Sequence, residues 1–337
     1  MKLALIFLTA VLAQTALAQD EDDYPALPRA RYRSGQAVLD AFAPVSAKTS
    51  NSVVELNVDK SPVALAAVVD SNGLVLTKAS ELSAGKLTCW LASGEEVGAE
   101  LLAVDDDDDV ALVRVKAEGL KPIQWDTGQI VEGQWAITPC LADTPVAVGI
   151  ISTLTHRIRP QRALLGVWWD MGVARPTVQR LERGFGAEKA GVQPGDIILA
   201  VDGKSVTNRE QVVEILQDFR DGQTVRMRFE RGEKELEEDI QLLTPKAGQD
   251  EFGFNEDEQE IQLSGDVSLR SEGFDQAIEH DTVLEPWQCG GPLVNLDGKT
   301  IGLNIARASR VATYALPAAL AREILTKLKA KAKAEKL

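Results

Sequence analysis

The stretch HDTVLEPWQCGGPLVNLDGKTIGLN, from His280 to Asn304, decides the fold together with two shorter segments. These are NGLVLTKAS, from Asn72 to Ser80, and DDDDDVALVRV, from Asp105 to Val115. The two shorter segments lie among runs of β-branched and aliphatic residues that are separated by turn signals, with Asn72-Gly73 as a hairpin turn. Strands of four to eight residues at this spacing predict an antiparallel barrel rather than a βαβ sheet.

Composition limits the classes of function. The 337 residues, 45% of them hydrophobic, are enough for about two domains. With 51 acidic and 36 basic residues the net charge is -15, so the surface repels phosphate backbones and nucleic acid is not expected as a partner. Three cysteines without CxxC spacing and two histidines offer few metal ligands, so we expect neither a metal nor a cofactor.

The N-terminus predicts export. Lys2 precedes the apolar run LALIFLTAVLA, and Ala16-Leu17-Ala18 has the small-x-small pattern of a signal-peptidase site. The run is too short for a stable membrane span, so residues 1–18 are interpreted as a cleavable signal peptide and the mature chain as periplasmic or secreted. Residues 19–50 are acidic and contain prolines, which predicts a mobile arm.

Residues 161–245 form a self-contained block. Within it, AGVQPGDIIL from Ala190 to Leu199, followed by Asp202-Gly203, resembles the signature of PDZ domains, and a helix capped at Asn208 is predicted. The resemblance implies binding of polypeptide C-termini, with the segment LLGV as the carboxylate-binding loop. For the helix, periodicity alone leaves open which residues face the peptide pocket and which face the core. The peptide-binding candidates are Leu164, Leu165, Gly166, Val167, Val212 and Val213.

The three segments that open this subsection resemble the HtrA/DegP family of trypsin-fold proteases. The resemblance implies a mainly β protein with a trypsin-like double β-barrel of two six-stranded barrels. The family normally carries a PDZ domain after the protease domain, but here the block lies between Gly149 and Cys289, and the residues that remain there without it are about as many as the second barrel needs. We therefore expect the α+β PDZ domain to be inserted in the second barrel. The expected divisions after the arm are the first barrel and the start of the second (51–160), the PDZ domain (161–245), an acidic linker (246–266), and the rest of the second barrel with a C-terminal helix (267–337).

The resemblance places the catalytic triad on residues that do not suit it. The family's histidine corresponds to Ser80, its aspartate to Asp109 and its serine to Cys289. A hydroxyl cannot act as the general base, and a thiol of ordinary pKa is only a few per cent thiolate at pH 7. In the oxyanion region Trp287, followed by Gln288, replaces a glycine whose backbone geometry a bulky residue tolerates poorly. We therefore expect a catalytically inactive protease homologue with a quality-control or scaffold role, which binds C-termini or unfolded proteins.

Other interpretations stay open at this level. The first is an active endopeptidase with Cys289 as nucleophile, assisted by His280. The second is a structural or assembly protein with an unused groove. The family commonly forms homotrimers through an aromatic N-terminal arm, for which Tyr24, Tyr32 and Phe42 are available. A disulfide between Cys89 and Cys140 is also left open, and the run Asp105 to Asp109 is interpreted as a solvated acidic turn rather than a calcium loop.

Overall fold

The computed structural model describes residues 35–160, 163–244 and 266–334. The expected signal peptide, Tyr24 and Tyr32 lie outside the described residues, as does all but the last residue of the acidic linker predicted at 246–266. The described part is mainly β, as the sequence predicts.

Helix α1 (Gln36–Ser46) opens the described chain. Leu39, Phe42 and Val45 recur every three residues and so form one apolar stripe. This stripe packs on a small buried cluster of strand residues, Ile137, Val148 and Val294. The mobile arm predicted over 19–50 is therefore wrong for this stretch, because the apolar spacing outweighs the proline at position 44 and the polar composition around it.

The first barrel is closed by six antiparallel strands in the order β1-β2-β3-β6-β5-β4. The predicted turn at Asn72-Gly73 joins β2 and β3: the Asn72 N–H donates to the Asp70 carboxylate at 3.0 Å, and Gly73 takes a φ of 84°. The strands are β1 (Val53–Val58), β2 (Ser61–Asp70), β3 (Leu74–Lys78), β4 (Leu87–Trp90), β5 (Glu96–Asp105) and β6 (Val110–Val115).

The second barrel begins with β7 (Trp135–Thr138) and β8 (Ala147–Ile158), after which the chain leaves it to form a separate domain. This domain has a two-stranded sheet, β10-β9, a four-stranded sheet, β12-β11-β13-β14, and one buried apolar core. Its elements are β9 (Val167–Trp169), β10 (Val178–Leu181), α2 (Gly186–Lys189), β11 (Ile197–Val201), β12 (Lys204–Ser205), α3 (Arg209–Leu216), β13 (Thr224–Arg231) and β14 (Lys234–Gln241).

The chain then returns to complete the second barrel, in the order β15-β18-β17-β16-β7-β8. Strand β15 pairs directly with β8, with Phe274 opposite Ile158, so the two ends of the inserted domain lie side by side. The predicted insertion is confirmed. The returning elements are β15 (Phe274–His280), β16 (Pro292–Val294), β17 (Thr300–Arg307), β18 (Thr313–Pro317) and helix α4 (Ala318–Ala334).

A shared core holds the two barrels together. Leu76 and Leu112 of the first barrel belong to the same buried cluster as Leu303 and Leu316 of the second, and Ile324 of α4 packs among them. Burying a leucine or isoleucine contributes roughly 1.5–3 kcal/mol to the free energy of unfolding. The barrels are thus fixed relative to each other, and with them the two sides of the triad-equivalent site.

Candidate functional sites: the triad positions and the peptide groove

Ser80 and Asp109 meet on the first barrel. The Asp109 carboxylate accepts a hydrogen bond from the Ser80 hydroxyl at 2.8 Å and one from the Ser80 N–H at 2.7 Å. Burial raises the pKa of Asp109, although the Ser80 hydroxyl bond opposes this shift. In a working triad the carboxylate at this position orients an imidazole. Here both of its oxygens instead accept hydrogen bonds from Ser80.

Cys289 lies on the second barrel and is completely buried. Burial raises the pKa of its thiol to about 11, while the Lys78 ammonium, the Ser268 hydroxyl and the Arg307 backbone lower it in part. At pH 7 only roughly one thiol in ten thousand is then ionised. The thiol is therefore neither exposed nor in the form that attacks a carbonyl.

The backbone before Cys289 forms a closed turn. Residues Pro286–Gln288 make one turn of 3-10 helix, in which the Cys289 N–H donates to the Pro286 carbonyl at 3.2 Å and the Gln288 N–H donates to the Glu285 carbonyl at 2.9 Å. The Gln288 side chain also accepts from the Glu285 N–H at 2.8 Å. The nucleophile's own N–H, which a protease of this fold aims at the oxyanion, is thus bonded inside the turn.

Lys78 and Glu81 are neighbours of this site that the sequence interpretation missed. The Lys78 side chain is fully buried, and its ammonium forms an ion pair with Glu81 at 3.0 Å. Glu81 also accepts a hydrogen bond from the Leu269 N–H at 3.0 Å, which joins it to the second half of the chain. The burial of Lys78 could have been predicted from the sequence, because side chains alternate along a strand and residue 78 of β3 lies on the same face as buried Leu76.

His280 does not complete a triad. It is fully buried in β15, its Nδ1 is hydrogen-bonded with the Thr282 hydroxyl at 2.7 Å, and burial lowers its pKa to about 4. The groups that act on the Cys289 thiol are the Lys78 ammonium, the Ser268 hydroxyl, the Arg307 backbone and the Glu81 carboxylate, whereas the His280 imidazole is bonded with Thr282. Cys89, Cys140 and Cys289 all have free thiols, so the disulfide left open by the sequence is absent from the described residues.

Arg220 of the inserted domain and Arg270, which precedes β15 of the second barrel, both bind the turn that leads to Asp109. Arg220, which follows α3, donates to the carbonyls of Asp106, Asp107 and Gly273 at 3.2, 3.0 and 2.7 Å. Arg270 donates to the same three carbonyls, each at 2.6 Å. Burial and the nearby Arg220 lower the pKa of Arg270. This junction fixes the inserted domain against both barrels.

The inserted domain carries an apolar groove of about 70 Å³. Four of the residues that line it, Leu164 to Val167, form the predicted carboxylate-binding loop. A fifth is Val213 of α3, which was also predicted to bind the peptide. Val212 was predicted to bind the peptide as well, and this prediction is wrong. It lies about 100° around the helix from Val213 and is completely buried in the domain core. The lining consists of Ala163, Leu164, Leu165, Gly166, Val167, Trp169, Val213, Leu216 and Gln217.

The loop and strand beside the groove have the geometry to accept an extended peptide. Gly166 takes a φ of 79°, and a side chain there would collide with Phe185, so only glycine fits. Strand β9 pairs with β10 along one edge, and within the described residues no strand covers its other edge. Such an edge offers N–H and C=O groups to an added strand.

The two tryptophans after the loop point to different surroundings. Trp169 lines the groove. Trp168 donates a hydrogen bond from its Nε1 to Glu182 at 3.0 Å, and the Arg180 guanidinium lies 4.4 Å from its ring centre. Alternation along a strand predicts this division, but the sequence could not say which tryptophan faces the groove.

Among residues 35–160, 163–244 and 266–334 no group of three potential metal-ligating side chains occurs. In the same part of the chain no helix combines the length and the apolar character needed to cross a membrane.

Comparison with known proteins supports the assignment of the inserted domain. A family model described as "PDZ domain" matches residues 182–231. The chain is 37% identical over 75 residues, 22% of its length, to a putative zinc metalloprotease of Xylella fastidiosa. It is 45% identical over 53 residues, 15% of its length, to a probable CtpA-like serine protease of Staphylococcus haemolyticus. It is 39% identical over 67 residues, 17% of its length, to the chloroplastic protease Do-like 8 of Arabidopsis thaliana. These alignments cover 17%, 10% and 15% of the three relatives. The described chain therefore contains a PDZ domain and is weakly similar to several proteases.

Proposed function

We propose that this protein binds the C-terminal ends of polypeptides in the groove of its PDZ domain and does not cleave them. The observation that carries the proposal is the open apolar groove between the Leu164–Val167 loop and α3. Backbone N–H groups of the loop would receive the terminal carboxylate, the free edge of β9 would pair with the peptide backbone, and the groove would bury the last side chain. An open groove favours binding over a purely structural role.

The state of the triad positions supports the second half of the proposal. Among the described residues no imidazole is one of the groups that act on the thiol. The thiol is buried, its pKa of about 11 keeps it protonated at pH 7, and the Cys289 N–H is bonded within its own turn. Each of these features alone slows acyl transfer by orders of magnitude. They weigh against the alternative of an endopeptidase that uses Cys289.

The setting of this function is also part of the proposal. The apolar run LALIFLTAVLA and the cleavage pattern Ala16-Leu17-Ala18 support export to the periplasm or the exterior. Unfolded or misfolded proteins would there be the partners of a quality-control or scaffold protein. Assembly into a homotrimer is supported by apolar surface around α1: Trp135 and Ile150 are exposed next to each other in β7 and β8, and Phe42 packs on Trp135 at 4.9 Å between ring centres.

Incubation of the full chain with casein tests both halves of the proposal. We expect casein to be retained by the immobilised chain and recovered intact, because the groove binds chain ends while the triad positions lack a base and an accessible nucleophile. Gel electrophoresis of the bound and unbound fractions measures both outcomes. Casein fragments that disappear in a Cys289→Ala variant would show that the alternative of an active endopeptidase is correct.

A further inference from the structure

A short irregular segment of the chain lies against the Cys289 thiol. Residues 266–270, which we call the strap, precede β15 and belong to neither a helix nor a strand. Ser268, at the centre of the strap, is only 3% exposed, and its hydroxyl forms a hydrogen bond with the Cys289 thiol. The same hydroxyl accepts a hydrogen bond from the Arg307 N–H at 3.0 Å. The strap is therefore one of the walls that bury the thiol.

The strap is attached to both barrels. On the second barrel, the Ser268 N–H donates to the Arg307 carbonyl at 3.0 Å, so Ser268 engages both backbone groups of Arg307. On the first barrel, the Leu269 N–H donates to the Glu81 carboxylate, which follows β3, at 3.0 Å. The strap thus crosses from one barrel to the other at the triad-equivalent site.

Polar bonds rather than apolar packing hold the strap in place. The Leu269 side chain is 77% exposed, so it contributes little buried apolar surface. Cys289, in contrast, packs with Ala147 and Leu284 in a buried apolar cluster of the second barrel. Segments with few buried apolar contacts open locally at a lower free energy than the whole domain unfolds. The strap can therefore leave the thiol while the barrels stay folded.

Arg270 determines which part of the strap can move. Its guanidinium is fixed by the carbonyls of the turn that leads to Asp109 and by the Gly273 carbonyl, and it lies 4.7 Å from the ring centre of Phe274. The residues before it depend on the bonds of Ser268 and Leu269. Arg270 is therefore the pivot, and the part of the strap that precedes it is the part that moves.

Opening of the strap changes the chemistry of the thiol. Burial is the main cause that raises the pKa of Cys289 to about 11, and the Lys78 ammonium acts in the opposite direction. When water reaches the sulfur, the effect of burial weakens and the pKa moves toward the ordinary value of a thiol. An exposed thiol with a lower pKa reacts faster with electrophiles.

We propose that the strap is a cover that closes Cys289 in the resting chain, and that local opening of the strap exposes the thiol to small thiol-reactive molecules while both barrels stay folded. The inference goes beyond the proposed function, because it requires no peptide in the PDZ groove. It assigns to residues 266–270 a role that separates a closed from an open state of the former triad site.

Labelling of the full native chain with N-ethylmaleimide tests the inference. The thiolate sulfur bonds to one carbon of the reagent's double bond, and the other carbon takes a proton from water. Cys140 is partly exposed and Cys89 is completely buried in the first barrel, so both serve as internal references. Mass spectrometry of tryptic peptides should find Cys140 labelled first. In urea below the unfolding transition seen by circular dichroism, Cys289 should be labelled next, with Cys89 still protected.

A variant that weakens the strap provides the second comparison. Ser268→Gly with Leu269→Pro removes the hydroxyl that contacts the thiol and the N–H that reaches Glu81. Losing two hydrogen bonds, one of them to a charged group, should raise the labelling rate of Cys289 at least about 30-fold without urea. Cys89 should remain protected in this variant.

Leu296→Pro is the matched control. It makes the same replacement at an exposed leucine in the second position of the turn that joins β16 and β17, where proline fits. It should be labelled like the native chain.

Three results would overturn the inference. If Cys289 is labelled as fast as Cys140 in the native chain without urea, the strap does not close the thiol. If the strap variant is labelled at Cys289 no faster than the native chain, the strap is not the cover. If Cys289 and Cys89 become labelled together, in urea or in the variant, the thiol is exposed only when the fold itself opens.

Discussion

We expect hydrolysis of peptide bonds to stay close to the uncatalysed background in the native chain and also in a Ser80→His, Cys289→Ser double variant. Restoring the base and the hydroxyl leaves the Cys289 position buried and its N–H bonded to the Pro286 carbonyl at 3.2 Å. The loss of one oxyanion donor alone costs about 10²–10³ in rate. Replacing two side chains therefore does not rebuild the site.

The measurement is the release of fluorescence from labelled casein, with binding of a valine-ending peptide as the control that each variant is folded. Adding Trp287→Gly to the double variant should give at most weak activity. The glycine removes the bulky side chain, but the N–H of residue 289 can turn toward a substrate only if the hydrogen bonds between residues 285 and 289 also break. Activity of the double variant within a few orders of magnitude of a working protease would show that the turn opens readily. The closed turn would then not account for the proposed absence of cleavage.

We expect the affinity for a valine-ending peptide to fall by at least about 30-fold in Val213→Glu. Val213 is half-buried on the groove face of α3, so a carboxylate there must lose part of its hydration when an apolar side chain fills the groove. Burying a polar group without a partner costs about 2 kcal/mol, and 1.4 kcal/mol corresponds to a factor of ten.

Lys204→Gln is the matched control for this variant, because it changes the net charge by the same amount at an exposed residue of β12. It should bind the peptide like the native chain. Isothermal titration calorimetry of both variants measures the effect. If Val213→Glu binds the peptide as tightly as the native chain, the peptide does not lie against α3.

Much of the fold follows from local sequence. The Asn72-Gly73 turn and the apolar strands around it predict an antiparallel barrel, and the AGVQPGDIIL segment predicts a PDZ domain. That there are two six-stranded barrels is implied by the family resemblance alone. Both barrels and the inserted domain are present. The helix cap at Asn208 is present as well, since its side chain accepts from the Gln211 N–H at 2.9 Å. These features depend on neighbours along the chain, which the sequence displays directly.

The site could be predicted only in part, because its properties arise between distant segments. Lys78 and Glu81 form an ion pair, and both act on the pKa of Cys289, some 210 residues further along the chain. No local sequence pattern links these residues. Val212 and Val213 are equivalent by residue type, and only the packing of α3 assigns one to the core and the other to the groove. Helix α1 was missed because the apolar stripe that stabilises it needs the second barrel as a partner.

The central claim is that the PDZ groove recognises the end of a polypeptide chain, and it is tested most directly by comparing a free and an amidated C-terminus. Calorimetric titration of the full chain with one peptide ending in valine, in both forms, isolates the contribution of the terminal carboxylate. Because charge-assisted hydrogen bonds to the loop hold that carboxylate, amidation should weaken binding at least about ten-fold. Equal affinity for the two forms, or no binding of either, would contradict the account.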